Sequence, residues 1–233
     1  MFAFRDTCTS DPDSPDGVRV EVAFTDATLD LREREGFAAS LAAVVEATGV
    51  SFARLSQVHG GEVAQVVDSP DSADHLVPEA DALVTARRGT GLMVRVADCV
   101  PVLLADPGAG VIGAVHAGRL GMTRGVVGST VRRMRAIGAD HVRAWIGPHV
   151  CGRCYEVPEA MRREVAGVVP ASMSETSWGT PALDLGAGVA AQLAAVGASV
   201  THVGRCTLED EQLHSFRRDG EDAGRFAGLV WMT

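Results

Sequence analysis

The chain has 233 residues, of which 46% are hydrophobic and 22% are charged, and its formal net charge is −9 at pH 7. This length suits one α/β domain with a sizeable core and does not require two domains. Nucleic-acid binding is not expected, because it needs a basic surface that displaces counterions from the phosphate backbone. A small anionic substrate is compatible with the acidic balance, since a local group of arginines can outweigh the global charge.

The five cysteines are an odd number and argue against a disulfide framework. The N-terminus has no apolar core of signal-peptide length, and no apolar run approaches the length that spans a bilayer. We therefore expect a cytoplasmic protein without a membrane partner; a monomer is the favoured oligomeric state, which the sequence leaves open. A segment over 1–17, whose second half is rich in Asp, Ser and Pro, is expected to be mobile, followed by a single domain over 18–233.

Hydrophobic periodicity predicts strands and helices along the whole chain. Alternating residues predict a strand over 18–24, and helical spacing predicts a helix over 33–48 that ends at Gly49. The other predicted strands cover 55–58, 63–67, 81–85, 142–146, 200–203 and 226–232, and the other predicted helices cover 122–137, a stretch from about 158, and 182–196.

Residues 92–121 contain two apolar runs that are typical of buried strands. One run extends over 92–104 with Cys99 near its middle, and the other extends over 111–116 and ends at His116. The link over 106–110 is too short for a parallel crossover, so the two strands should form an antiparallel hairpin. Cys99 and His116 would then lie close to one another across the sheet.

A second histidine, His59, precedes a Gly-Gly turn at another predicted strand end. Together His59, Cys99 and His116 would supply three ligands to a zinc ion and leave a fourth position for water or substrate, as in catalytic zinc sites. Asp98 is a candidate to orient one of the imidazoles. The alternative is a buried strand cysteine and two structural histidines, which are common in folded proteins.

Two stretches could bind an anion. The glycine-rich turn over 116–121 precedes a predicted helix, where backbone N–H groups and the helix dipole favour negative charge, and Arg119 adds a positive charge. It lacks the ending of a Walker A loop, and a plain tight turn is equally compatible with its sequence. Arg217, in the run 215–219, could hold an anion bidentately or could be a solvated surface residue.

Cys151 and Cys154 form a C-x-x-C motif, and Cys206 is a third cysteine far along the chain. These residues could hold a structural zinc ion, or the pair could be redox-active. The chain has no second C-x-x-C motif, so reduced, structural cysteines are the favoured interpretation.

A set of short motifs follows one order along the chain and is more specific than any of its members. The motifs lie at 57–60, 80–85, 97–104, 116–118, 147–148, 155–157, 184–185, 206–207, 215–219 and 224–225. In this order they resemble the YfiH family, also called the laccase-domain or polyphenol-oxidase family, from about residue 55 to the C-terminus. The resemblance implies an α/β (α+β) fold, in which one domain of layered mixed β-sheets is flanked by helices.

The resemblance also implies purine nucleoside phosphorylase activity that depends on zinc. In this reaction inorganic phosphate displaces the base of adenosine, inosine, guanosine or methylthioadenosine, and adenosine deamination is a side activity. Copper is not expected, because the chain lacks the many histidines of a multicopper cluster. Two alternatives stay open: another zinc hydrolase, such as an amidase that edits peptidoglycan precursors, and a non-catalytic binding protein on the same fold.

At the positions that match the family, the implied metal ligands and catalytic residues are His59, Cys99 and His116. Independently of the resemblance, Arg119 and Arg217 are expected to contact phosphate because of their charge and place in the sequence, and Gln57 is a candidate substrate contact by its position beside His59.

Overall fold

The computed structural model of the chain describes residues 1–10, 18–71 and 77–233. The strands are β1 (Phe2–Thr9), β2 (Arg19–Thr25), β3 (Ser51–Ala53), β4 (Val63–Gln65), β5 (Ala82–Thr85), β6 (Thr90–Val96), β7 (Val100–Asp106), β8 (Val111–Ala117), β9 (Arg143–Ile146), β10 (Met173–Glu175), β11 (Pro181–Leu183), β12 (Ser199–His202) and β13 (Phe226–Met232). The helices are α1 (Phe37–Thr48), α2 (Arg119–Thr123), α3 (Val126–Ala136), α4 (Glu159–Val168), α5 (Leu185–Ala195) and α6 (Phe216–Asp219).

Two mixed sheets form the centre of the fold. One has the strand order β1-β2-β13-β6-β3, and the other has the order β12-β9-β7-β8-β5-β4. Each sheet combines antiparallel pairs with parallel ones at an edge, such as β3 beside β6 and β12 beside β9. A separate antiparallel hairpin is formed by β10 and β11.

The buried hydrophobic residues form three separate core regions between the layers of the fold, because successive side chains along each strand point to opposite faces of the sheet. Leu83 of β5 packs with residues of β2, β6 and β13 between the two sheets. Its neighbours Ala82 and Val84 face the opposite side, where the second sheet packs against α3, α4 and α5. The outer face of the first sheet packs against α1 through Val44. The fold is thus a helix layer, two sheet layers and a second helix layer, which confirms the predicted class.

The predicted strand over 92–104 is wrong in its extent, and the difference creates the site. The chain bends at 97–99, so β6 belongs to the first sheet and β7 to the second. Asp98 has φ 88°, a left-handed conformation that no strand residue adopts. Cys99 therefore lies in a bend between the sheets. The predicted hairpin is confirmed, with β7 antiparallel to β8 and Pro101 paired with His116.

Other boundaries also differ from the sequence prediction. Residues 2–9 of the segment expected to be mobile form β1, paired with β2, while 11–17 lie outside the described residues. The strand predicted over 55–58 is replaced by β3 at 51–53, and the helix predicted over 122–137 is divided by Gly125, whose φ is 74°. The helix predicted over 182–196 begins only at Leu185, because 181–183 form β11, which pairs with β10. In the described part of the chain, no helix has the length and apolarity needed to cross a membrane.

Candidate active site

His59, Cys99 and His116 converge from three separate parts of the fold. His59 lies in the loop before β4, Cys99 in the bend before β7, and His116 near the end of β8. Their potential ligand atoms all lie within 4.8 Å of one another. The Cys99 Sγ atom is 4.0 Å from His59 Nε2, and the two imidazole rings are nearly perpendicular with centroids 4.8 Å apart.

Asp81, at the start of β5, organises both histidines. Its fully buried carboxylate lies 2.7 Å from His116 Nδ1, so Nε2 is the ring nitrogen left for a metal. The same carboxylate accepts hydrogen bonds from the backbone N–H groups of Val58, His59 and Gly60, at 3.3, 3.0 and 2.5 Å. These bonds hold the loop in a turn where His59 has a φ of 57°. One carboxylate therefore fixes the positions of two candidate ligands.

Asp98 does not orient an imidazole, and the role that the sequence suggested for it belongs to Asp81. The Asp98 carboxylate accepts a hydrogen bond from Thr207 Oγ1 at 2.6 Å and another from the backbone N–H of Arg217 at 2.7 Å. Because Asp98 adjoins Cys99, these bonds attach the C-terminal segment to the bend that carries the thiol. This contact places Arg217 at the site.

The close approach of the three ligands requires a glycine at position 118. A Cβ atom there would lie 2.9 Å from His59 Cδ2 and 3.1 Å from Cys99 Sγ. Zinc bonds of about 2.0–2.3 Å at tetrahedral angles place ligand atoms about 3.3–3.8 Å apart. The observed spacing needs only a small contraction to reach that geometry, so the thiol and two imidazoles fit a zinc ion with one open position.

The pKa values of Cys99 and His116 are coupled by their proximity. Burial by itself would raise the pKa of the Cys99 thiol, but the imidazoles of His116 and His59 lower it to about 6. Burial would likewise lower the pKa of His116, but the Cys99 charge and the Asp81 carboxylate raise it to about 9. Both shifts favour a thiolate beside an imidazolium when no metal is bound, and the thiolate is the form that binds metal.

A cavity of about 950 Å³ opens above the three candidate ligands. Its wall carries four arginines: Arg32, Arg95, Arg217 and Arg225. The Arg217 guanidinium lies 4.3 Å from the centre of the Tyr155 ring, and Phe216 also lines the cavity. A cavity of this size, with several cationic side chains in its lining, suits a small organic anion or a neutral compound bound together with phosphate.

The other two residues expected to bind substrate are placed differently. Gln57 lines the cavity, but its side-chain amide is hydrogen-bonded to the main chain of Arg95. Its Nε2 donates to the Arg95 carbonyl oxygen at 2.8 Å, and its Oε1 accepts from the Arg95 N–H at 2.9 Å. It thus holds the His59 loop to β6. Arg119 begins the short helix α2 and is not among the residues that line the cavity.

Sequence reasoning missed several residues at this site, among them Arg32, Arg95, Arg225 and Asp81. Arg32 and Arg95 were assigned no role because each lies in a segment whose pattern indicates only a loop or a strand. Arg225 and Asp81 stand inside the family-like motifs, so the motifs could have identified them. Asp81 is also a carboxylate at the edge of a buried strand, a position that usually requires hydrogen-bond partners.

Related proteins cover most of this chain. Residues 26–233 match the family model described as multi-copper polyphenol oxidoreductase laccase. Purine nucleoside phosphorylase ORF3 of Streptomyces griseus is 58% identical over 181 residues, which cover 76% of this chain and 73% of that protein. Purine nucleoside phosphorylase SCO2081 of Streptomyces coelicolor is 55% identical over 190 residues, which cover 79% of this chain and 77% of that protein.

Solved structures share the fold. The hypothetical protein YfiH of Bacillus licheniformis superposes with a TM-score of 0.82 at 23% identity and covers 92% of this chain and 93% of its own. YlmD from Geobacillus stearothermophilus gives a TM-score of 0.78 at 27% identity, with 94% of this chain and 93% of that chain covered. The chain therefore belongs to the laccase-like YfiH family that its motifs resemble.

Proposed function

We propose that the chain is a zinc-dependent purine nucleoside phosphorylase. The observation that carries this proposal is the placement of one thiol and two imidazoles at the base of a cavity whose wall carries four arginines. The name that the Streptomyces relatives share points to the same reaction. The proposed substrates are adenosine, inosine, guanosine and methylthioadenosine, and adenosine deamination is proposed as a side activity of the same cavity.

Zinc would be held by His59, Cys99 and His116. Bound there, it would supply a Lewis acid that orients and polarises a phosphate oxygen or a water molecule. Asp81 accepts a hydrogen bond from Nδ1 of His116, which fixes the tautomer whose Nε2 faces the site.

Phosphate would be held by the arginines of the wall. Arg217 is fixed at its backbone by Asp98 and at its guanidinium by the Tyr155 ring, so little side-chain entropy is lost when it binds an anion. Arg225 lines the same wall, and its guanidinium also donates to the carbonyl oxygens of Ala223 and Gly224. Phe216 is 44% exposed and lines the cavity, where its ring would offer an apolar face to a purine.

In the proposed reaction a phosphate oxygen forms a bond to C1′ of the sugar as the C1′–N9 bond breaks. The electron pair of that bond leaves with the purine, and the sugar becomes a 1-phosphate. Two fixed cations beside the phosphate would hold it against C1′, which converts a bimolecular step into one within the complex.

The test is release of free base from each nucleoside, with and without phosphate, by protein of known zinc content. We expect phosphate-dependent release and formation of sugar 1-phosphate, both lost in His59→Ala and retained in His141→Ala, whose imidazole is 93% exposed. Release that does not need phosphate would indicate the hydrolase alternative. Saturable nucleoside binding without turnover would indicate a binding protein.

A further inference from the structure

We propose that Cys151, Cys154, Cys206 and Glu209 form a second, structural zinc site outside the cavity. The ligand atoms of these four residues lie within 4.8 Å of one another. The Cys154 Sγ atom is 3.4 Å from a carboxylate oxygen of Glu209, and the backbone N–H of Cys151 is 3.4 Å from Cys206 Sγ. Three thiolates and one carboxylate complete the four-coordinate shell of a structural zinc ion.

The two halves of the cluster have the same spacing in sequence. Cys151 and Cys154 are separated by two residues, and so are Cys206 and Glu209. In the first half the backbone N–H groups of Cys154 and Tyr155 donate to the Cys151 carbonyl oxygen, which forms a tight turn that presents both thiols on one side. Paired turns of this kind are the usual scaffold of a closed zinc site.

A backbone N–H group points at one of the sulfur atoms of the cluster. Cys206 Sγ accepts a hydrogen bond from the backbone N–H of Cys151 at 3.4 Å, from one half of the cluster to the other. Such a bond orients the sulfur as a ligand. A main-chain β-bridge between His149 and Cys206 connects the segments that carry the two halves of the cluster, so backbone hydrogen bonds also hold the scaffold together.

The carboxylate distinguishes a metal site from a redox pair. A disulfide between Cys151 and Cys154 would leave Cys206 and Glu209 without a role, whereas a zinc ion uses all four donors. Soft thiolates together with a carboxylate select zinc over hard cations such as magnesium and calcium, which take oxygen ligands. The favoured sequence interpretation, in which these cysteines are structural and reduced, agrees with their all being free thiols.

A zinc ion here would join two segments that contact residues of the cavity wall. Tyr155 follows Cys154 directly, and its ring lies against Arg217. Thr207 follows Cys206 directly, and its hydroxyl donates to Asp98 beside the candidate active-site thiol. The second site is therefore a positioning device for the wall, although its existence does not depend on the proposed reaction.

Zinc content of variants tests the proposal without any activity measurement. We expect two zinc ions per chain in the unaltered protein, one in Cys99→Ala, one in Cys154→Ser and none in the double variant. Far-UV circular dichroism of each protein reports whether it is folded. A Cys154→Ser variant that keeps two zinc ions would overturn the proposal, and so would an unaltered protein whose single zinc ion is lost in Cys99→Ala.

A milder variant covers the case in which the cysteine variant does not fold. Glu209→Gln should release one of the two zinc ions at a lower chelator concentration, while Glu211→Gln, at a nearby exposed position, should match the unaltered protein. Equal release from both variants would contradict the assignment of Glu209. An intact mass of the non-reduced protein that is lower by two hydrogen atoms than that of the reduced protein, with Cys151 linked to Cys154, would show a disulfide in place of the metal and would overturn the proposal. If the zinc count is two but no base is released, only the proposed function fails.

Discussion

The carboxylate of Asp81 lies 2.7 Å from Nδ1 of His116, and both side chains are almost completely buried. This contact connects β5 to β8 at the point where the candidate metal ligands meet. Because the same carboxylate also binds three N–H groups of the His59 loop, loss of its charge should affect two ligands together.

Asp81→Asn tests that role. The amide can still accept from His116 with its oxygen, but its NH₂ group would face backbone N–H donors that need an acceptor. We expect zinc affinity at this site to fall by about 10- to 100-fold, as is usual when a residue that orients a ligand is changed. Competition with a chromophoric chelator measures it, and Asp140→Asn, at a side chain 86% exposed, is the control. Equal affinities would show that Asp81 is not needed for metal binding.

Gly118→Ala should disrupt the metal site while leaving the fold intact. The added Cβ would lie 2.9 Å from His59 Cδ2, which is closer than real Cβ contacts, and 3.1 Å from Cys99 Sγ. Both side chains would have to move to make room for it. We therefore expect loss of zinc from this site with an unchanged circular dichroism spectrum. The matched control is Gly167→Ala in α4, where a Cβ meets nothing within 4 Å and helix propensity should stabilise the fold by up to about 1 kcal/mol. Normal zinc content in Gly118→Ala would contradict the close packing described above.

The variants Arg217→Ala and Arg119→Ala test two arginines that the sequence analysis assigns equally to phosphate binding. The structure places only Arg217 in the cavity, so its removal should raise the KM for phosphate by about 10- to 100-fold, the range for one lost charged hydrogen bond. Arg119→Ala should change this KM by less than about twofold. Steady-state kinetics with phosphate as the varied substrate decides between them. A larger effect of Arg119 would reassign the anion site to the turn before α2.

The reactivity of Cys99 should depend on pH in the metal-free protein. Its pKa of about 6 means that the reactive thiolate is present above that pH and is lost as the pH falls through it. Burial raises the pKa of Cys8 to about 11, so Cys8 should stay unreactive to about pH 9. Peptide-resolved alkylation after chelator treatment measures both. His116→Ala removes the main charge that lowers the pKa of Cys99 and should move its midpoint upward; a midpoint near 9 in the unaltered protein would contradict the coupling.

Local sequence patterns predicted most strands and helices correctly. The alternation in β2, the helical spacing of α1 and the turn residues between β7 and β8 are all short-range features, so they are visible without a structure. The three candidate ligands could be chosen because His and Cys side chains can bind a metal and each of these residues lies at a predicted strand end or within a buried run. The boundaries failed where a continuous apolar run gave no periodicity to interpret, as over 92–104.

The amino-acid sequence by itself determined the class of fold and the β7–β8 hairpin, because strands, helices and tight turns depend on residue types and spacings within short stretches. It also offered His59, Cys99 and His116 as candidate ligands, because their side chains can bind a metal and each stands at a predicted strand end or within a buried run. Only the tertiary structure decided that Asp81 rather than Asp98 orients His116, that Arg32, Arg95 and Arg225 join Arg217 in one wall, and that Glu209 completes a cluster with three cysteines. These relationships join residues far apart along the chain. They are set by which strands pair across the two sheets and by the bend at Asp98, and hydrophobic pattern alone does not encode such long-range pairing.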